Sequence, residues 1–221
     1  MKAMILAAGK GERLKPITNV TPKCLVYVNG KTLLERHFNM LVRSGVKEVV
    51  INLGWLGDKI LEFAGDGCKF GLEIHYSNEQ DEILETGGGI TKALPMLGKE
   101  PFWVINGDVF TDFDLPELKL DRDILGHLIL VTKPYFKMKG DFDLKLNRVI
   151  RCPDPALTFG GIALYHPSIF DGYTVSRFSI VEILYKLIEQ QKLTGSIYKG
   201  IWEDVGTPDR LKNLIREHKE L

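Results

Sequence analysis

The stretch Met4-Ile5-Leu6-Ala7-Ala8-Gly9-Lys10-Gly11-Glu12-Arg13-Leu14, followed by Thr21-Pro22-Lys23-Cys24-Leu25, decides the fold of this chain. An apolar run that ends in turn residues reads as a buried strand. Gly9 and Gly11 let the backbone turn tightly and leave room for a ligand to approach. Successive backbone N–H groups in such a loop form a concavity for anions. Arg13 and Lys23 add full positive charge, so the stretch predicts a loop that wraps a nucleoside triphosphate. A glycine-rich strand-to-loop turn carrying solvated charges is the other reading of these residues taken alone. Two better-known glycine loops do not fit: the third glycine of a dinucleotide fingerprint is replaced by Leu14, and the Gly-Lys-Ser/Thr ending of a P-loop is absent.

Working outward, apolar runs alternate with helical patterns. Strands are predicted at 3–8, 48–53, 73–76 and 102–106. Between the first two, Leu33, Leu34, His37, Phe38, Leu41 and Val42 recur at helical spacing. Thr32 can cap that helix with Glu35 three residues on, and Gly45 ends it. Further helices are predicted at 57–63 and from Thr86 to before Pro95. This alternation predicts an α/β fold with a mostly parallel sheet and helices on both faces. The second half changes character, with strands at 127–133, 141–146, 156–165 and 196–198, and an amphipathic helix at 178–191. Asp112 and Asp114 are read as the start of a helix at 115–120. A closing helix runs over 207–219, with Thr207 as N-cap, Pro208 in the first turn, and Arg216 and Lys219 suiting the dipole at its end.

Composition narrows the class. A chain of 221 residues fits one domain. Lys+Arg and Asp+Glu balance at 29 each, so no net field draws nucleic acid or a membrane surface. No leader pattern or membrane-length apolar run is read, and Cys24, Cys68 and Cys152 are too sparse for a disulfide scaffold; a cytoplasmic monomer is expected. Cys24 beside Lys23 reads as a small packed residue, with an activated thiol as the alternative. His37, His75, His127, His166 and His218 form no ligand-spaced set and are read as structural.

Four further segments follow the glycine loop in order: Glu85-Thr86-Gly87-Gly88-Gly89, Asn106-Gly107-Asp108, Phe159-Gly160-Gly161-Ile162 and Trp202-Glu203-Asp204-Val205-Gly206-Thr207. With the loop and Pro22-Lys23, this ordered set resembles the sugar-1-phosphate nucleotidylyltransferases over nearly the whole chain. The short length, Leu84-Glu85-Thr86-Gly87-Gly88-Gly89, the run from Asn106 to Asp112, and Gly140-Asp141-Phe142 resemble the branch of uridylyltransferases that act on N-acetylmuramate alpha-1-phosphate. The resemblance implies a single Rossmann-like three-layer domain, with a nucleotide-binding half at about 1–110 and a sugar-binding half with a small lid at about 111–221. It further implies UTP and a sugar 1-phosphate as substrates and Mg²⁺ as cofactor.

The chemistry fits that set. Asp108 follows a buried strand at its carboxyl end, where ligands of open α/β sheets bind, and Asp204 follows a second short apolar segment. Two carboxylates suit Mg²⁺, which completes its shell with phosphate oxygens and water; either aspartate alone reads equally as a turn or cap residue. The sugar phosphate is already ionised, so it can attack the α-phosphorus without a protein nucleophile, and alignment with charge neutralisation carries the reaction. The resemblance gives catalytic roles to Arg13, Lys23, Asp108 and Asp204. It gives the nucleotide to Ala7, Ala8, Gly9, Lys10, Gly11, Glu12, Arg13, Lys23, Glu79, Gly87, Gly88 and Asp108. It gives the sugar to Asn52, Asn106, Asp141, Gly160, Gly161, Glu182 and Asp204, and the metal to Asp108 and Asp204. Glu79, as an acceptor-only carboxylate, suits the imide N–H of uracil, with Asp81, Glu82 and Glu85 of the same acidic loop as alternatives for that role. Trp55 reads as a core aromatic or a sugar platform. Lys139-Gly140-Asp141 departs from the lysine arrangement that holds the sugar phosphate in relatives. Two other outcomes fit the same residues: a glucose- or mannose-1-phosphate enzyme using dTTP or GTP, and a catalytically silent nucleotide-sugar-binding regulatory protein.

Overall fold

A computed structural model describes residues 1–79 and 81–218; the expected dipole contact of Lys219 lies outside the described residues. In chain order the strands are β1 (Lys2–Leu6), β2 (Tyr27–Val28), β3 (Lys31–Thr32), β4 (Glu48–Leu53), β5 (Glu73–Asn78), β6 (Phe102–Asn106), β7 (Val109–Thr111), β8 (Gly126–Thr132), β9 (Asp143–Lys145), β10 (Arg148–Ile150), β11 (Leu157–Tyr165), β12 (Leu193–Tyr198) and β13 (Trp202–Asp204). The helices are α1 (Leu33–Arg43), α2 (Gly57–Ala64), α3 (Glu85–Leu97), α4 (Val181–Glu189) and α5 (Pro208–Glu217).

Nine strands form one mixed sheet in the order β5-β4-β1-β6-β11-β8-β12-β10-β9. The first four are mutually parallel, and β11 joins antiparallel to both β6 and β8. The second-half strands, expected as mixed sheet with a lid, continue the main sheet. Period-two alternation splits the core: Ala3, Ile5, Val49 and Ile51 face α1 and α2, whereas Met4 and Val50 face α3 and α4. A third apolar cluster packs Leu211 and Leu214 of α5 against Leu14, Val26, Leu33 and Phe110. This seats the closing helix beside the root of the glycine loop.

Local signals explain the helix ends. Thr32 Oγ1 accepts the Glu35 N–H at 3.0 Å, and Thr207 Oγ1 accepts the Arg210 N–H at 3.4 Å. Three expectations are corrected. Pro95 does not stop α3, which runs on to Leu97; one N–H bond is lost near the helix end, while buried Ile90, Ala93 and Leu97 hold both sides of it. No helix forms at 115–120. The Asp112 carboxylate accepts the Ile201 N–H at 2.7 Å, Asp114 pairs with Arg43 at 2.7 Å, and the Leu115 N–H goes to Ser44 Oγ at 3.0 Å. These bonds tie the start of the segment to the end of α1 and to Ile201, in place of a helical turn. Helix α4 begins at Val181 rather than 178, because the Phe178 backbone is already bonded to the start of α3.

Candidate functional site

A cavity of about 500 Å³ opens at the carboxyl ends of β1, β4 and β6. Its wall includes Ala7, Ala8, Gly9, Gly11, Glu12, Arg13, Lys23, Asn52, Glu79, Asn106, Asp108 and Gly206. Parallel register produces this convergence: β1 lies between β4 and β6, so the residues leaving all three strands meet above one edge.

The glycine loop is braced from below. The Gly11 residue adopts φ +61°, and its carbonyl accepts the hydroxyl of fully buried Thr18 at 2.9 Å. The Trp55 indole donates to the Thr18 carbonyl at 2.8 Å, and the Trp55 N–H donates to the Ala8 carbonyl at 3.0 Å. Trp55 thus clamps the loop, which neither sequence reading anticipated. Leu14 anchors the far end in the α5 cluster, leaving exposed Arg13 on the cavity wall.

Lys23 and Asp108 meet as a partly buried ion pair. Asp204 reaches the same region through a two-stranded ribbon that the sequence did not reveal. Strand β13 pairs antiparallel with β7, Asp204 opposes Val109, and the Val205 N–H donates to the Asp108 carbonyl at 3.0 Å. Asp204 is in turn paired with Arg210 at 2.5 Å. The backbones of the two aspartates expected to bind metal are therefore adjacent, with Asp108 on the cavity wall and Asp204 behind Gly206, and each carboxylate is paired with one cation. Among the described residues there is no cluster of three or more metal-type ligands. Two carboxylates with room for phosphate oxygens are a donor set that suits Mg²⁺.

Behind the site, burial pushes the Cys24 thiol up to about 12. The activated-thiol alternative is excluded, since the thiolate is the reactive form. Burial likewise holds the His37 imidazole down to about 4, partly opposed by Asp108 and a backbone bond to Gly107. Its Nε2 has no hydrogen-bond partner.

Glu79 is 1 % exposed. One carboxylate oxygen accepts from Asn52 Nδ2 at 2.8 Å and the other from the Leu84 N–H at 3.0 Å. Asn52 Oδ1 accepts the Ala7 N–H at 2.6 Å. Asn52, expected at the sugar, lies on the cavity wall and links the glycine loop to Glu79.

Several expected residues are not brought to the cavity wall. Gly87 and Gly88 donate their N–H groups to the Phe178 carbonyl at 2.9 and 3.2 Å, so they face the segment before α4 and not the cavity. A Cβ at Gly89 would lie 2.6 Å from Glu79 Oε1. The triple glycine therefore admits neighbouring protein. Lys10 is exposed outside the wall, and Glu182 is exposed in the first turn of α4. Asp141 accepts from Lys137 and from the Phe159 N–H at 3.1 Å. Gly160 takes the Trp202 indole N–H on its carbonyl at 2.8 Å, and Gly161, at φ +72°, packs against Asn106. These residues lie beside the β11 bulge, next to the cavity through Asn106. Thr86 and Ser179 are wall residues that sequence reasoning did not assign to the site.

Comparisons with known proteins agree with this geometry. The nucleotidyl transferase family profile matches residues 2–123. The chain is 43% identical over 96% of both chains to N-acetylmuramate alpha-1-phosphate uridylyltransferase of Neisseria meningitidis serogroup B. It is 32% identical to D-glycero-alpha-D-manno-heptose 1-phosphate guanylyltransferase of Campylobacter jejuni, over 95% of this chain and 96% of that one. Its fold superposes on a putative glucose-1-phosphate thymidylyltransferase from Bacillus anthracis with a TM-score of 0.86 at 23% identity, covering 100% of this chain and 96% of the other.

Proposed function

The chain belongs to the nucleotidyl transferase family and is a sugar-1-phosphate nucleotidylyltransferase, and from that premise we propose that it joins UTP to N-acetylmuramate alpha-1-phosphate, releasing pyrophosphate and forming UDP-N-acetylmuramate. The observation that carries the choice of nucleotide is the buried Glu79 carboxylate on the cavity wall. An acceptor-only group favours a base edge that donates, as the imide of uracil does, and disfavours the N3 acceptor of cytosine. The imide edge of guanine also donates, so the uridylyl assignment over guanylyl leans on the higher identity to the uridylyltransferase.

In this reading the loop from Gly9 to Arg13 and the Arg13 guanidinium hold the β- and γ-phosphates. Lys23 turns from Asp108 to an oxygen of the α-phosphate, where a compact ammonium can follow the charge as a fifth oxygen approaches phosphorus. An oxygen of the sugar phosphate forms the new bond to the α-phosphorus. The bond from that phosphorus to the bridging oxygen breaks, and pyrophosphate leaves with the electron pair. Asp108 and Asp204 would hold Mg²⁺, which when bound supplies charge neutralisation on the phosphate oxygens. The carboxylate-cation pairs keep both aspartates balanced until substrate phosphates arrive.

Pyrophosphate release tests the assignment, with UTP, dTTP, GTP and CTP each offered against N-acetylmuramate, N-acetylglucosamine, glucose and mannose 1-phosphates. The expected optimum is UTP with N-acetylmuramate alpha-1-phosphate. A GTP preference would remove the uridylyl reading, and equal use of CTP would remove the role of Glu79. UTP binding with no turnover of any sugar 1-phosphate would mark a silent nucleotide-sugar-binding protein.

A further inference from the structure

The reaction brings two phosphate-bearing substrates together, yet the cations discussed so far serve only one of them. Arg13 and Lys23 lie on the glycine-loop side of the cavity. On the side of the second half, Lys139-Gly140-Asp141 departs from the lysine arrangement of relatives, and exposed Lys139 donates to the Pro153 carbonyl at 3.3 Å. Lys137 is paired with Asp141 at 2.8 Å. That leaves open which group meets the phosphate of the incoming sugar.

We propose that Arg210, in the first turns of α5, is the residue that binds the phosphate of the sugar 1-phosphate; the inference rests on the functional reading above. Its guanidinium is held at Asp204, and only 16 % of its side chain is exposed. Among the described residues that carboxylate is the guanidinium's one hydrogen-bonding partner, which leaves most of its five donors for a ligand. A planar guanidinium is suited to two oxygens of one phosphate at a time. Its plane is fixed by the Phe136 ring, whose centroid lies 3.5 Å from the guanidinium carbon. Phe136 belongs to the segment that leads to Gly140-Asp141, so Arg210 links the aspartate beside the cavity to the part of the chain expected to hold the sugar.

Gly206 supplies an independent observation. It lines the cavity, and a Cβ there would fall 2.7 Å from the Arg210 nitrogen and against the Asp204 carboxylate. The absence of a side chain at 206 lets the Asp204–Arg210 pair pack directly against the backbone of a cavity-wall residue.

The test compares wild type with Arg210→Gln, Arg210→Lys and Phe136→Leu. KM for N-acetylmuramate alpha-1-phosphate is measured at saturating UTP, UTP affinity by calorimetry, and melting temperature on each protein. Arg210→Gln should raise the sugar 1-phosphate KM at least tenfold and change UTP affinity less than threefold. Arg210→Lys should fall between, because it keeps the charge and loses the fork. Phe136→Leu should raise KM a few-fold, by loosening the guanidinium plane. An unchanged KM in Arg210→Gln overturns the inference, as does a loss of UTP affinity as large as the rise in KM. If Arg210→Gln does not fold, Arg210→Lys decides by the same two readouts. Wild type that turns over no sugar 1-phosphate overturns the functional reading and this inference with it; normal wild-type turnover with unchanged KM in the variants overturns this inference alone.

Discussion

Replacing Gly88 by alanine separates two readings of the triple glycine by sign. If the glycines only gave a base room to approach, an alanine inside α3 would stabilise the free protein by about 1 kcal/mol through helix propensity. The structure makes the opposite demand. A Cβ at Gly88 would lie 3.0 Å from the Ser176 carbonyl carbon, and closer still to its oxygen. The segment before α4 would have to retreat. It is tied to α3 by the Gly87 and Gly88 N–H bonds to Phe178 at 2.9 and 3.2 Å. The Phe178 N–H to Leu84 at 3.1 Å and the Ile180 N–H to Thr86 Oγ1 at 2.9 Å complete the tie. Each such bond is worth roughly 0.5–1.5 kcal/mol net, so losing two to four costs about 2–4 kcal/mol. After the propensity gain, a net loss of about 1–3 kcal/mol remains, or roughly 3–10 °C in melting temperature for a domain of this size. Thermal unfolding of the ligand-free protein reads it directly. Gly9→Ala is the control, since a Cβ there meets nothing within 4 Å and should leave the melting temperature unchanged. A Gly88→Ala protein as stable as wild type, or more so, refutes the reasoning.

Three further outcomes are expected. Asp108→Asn and Asp204→Asn should each lower turnover by orders of magnitude with little change in melting temperature, since losing metal-assisted charge neutralisation costs several kcal/mol at about 1.4 kcal/mol per factor of ten; near-normal Mg²⁺-dependent turnover in both removes the pair. Lys23→Ala should lower kcat strongly and UTP affinity modestly, and Lys23→Arg should restore it only in part; an effect confined to affinity makes Lys23 a ground-state contact. His37, held down to about 4 from 6.5, binds a proton more readily once unfolded, so stability is full above 6.5 and falls as pH drops towards 4. Denaturant unfolding of the ligand-free protein should show wild type losing about 1.5–2 kcal/mol from this group between about pH 6.5 and 5, absent in His37→Gln; parallel pH curves for the two proteins contradict the shift.

The parts of the site legible in the sequence are those whose residue types act locally. Gly9, Gly11 and the strand before them announce a tight loop at a strand end by turn geometry, and Asp108 announces itself by following a buried strand; all three line the cavity. Thr32 and Thr207 cap helices within three residues of themselves. What the sequence hid depends on distant partners. The non-helical stretch from Asp112 to Leu115, at the start of 115–120, is held by Arg43, Ser44 and Ile201, none of which is near in sequence. The ribbon that brings Asp204 to Asp108 consists of two three-residue strands, too short for any periodicity to appear. The triple glycine was recognisable as a close approach, but nothing local says whether a base or a backbone approaches. Arg210 reads as an ordinary helix residue until its partners across the fold are seen.

The geometry behind Glu79 bears on how the glycine loop and the base-side wall are held together. Strands β1, β4 and β5 run parallel, with Ile5 opposite Ile51 and Asn52 opposite Ser77. This register puts the Ala7 N–H, the Asn52 amide and the Glu79 carboxylate in one line above the sheet. The Ala7 N–H can only donate, so it fixes Asn52 with its oxygen towards β1, and the amide nitrogen must then face Glu79. A donor on one Glu79 oxygen and the Leu84 N–H on the other hold the carboxylate plane. Leu84 directly precedes α3, and its carbonyl accepts the Phe178 N–H, so the line continues to the segment before α4. A displacement of the glycine-loop root by phosphate would thus be felt at the proposed base-reading carboxylate, and beyond it at the second half of the chain. Every member of the line is buried or backbone, and removing one leaves a buried polar group unpaired, at roughly 1–3 kcal/mol. That cost ties the orientation of Glu79 to Asn52, whose buried amide spans the glycine-loop root and the carboxylate.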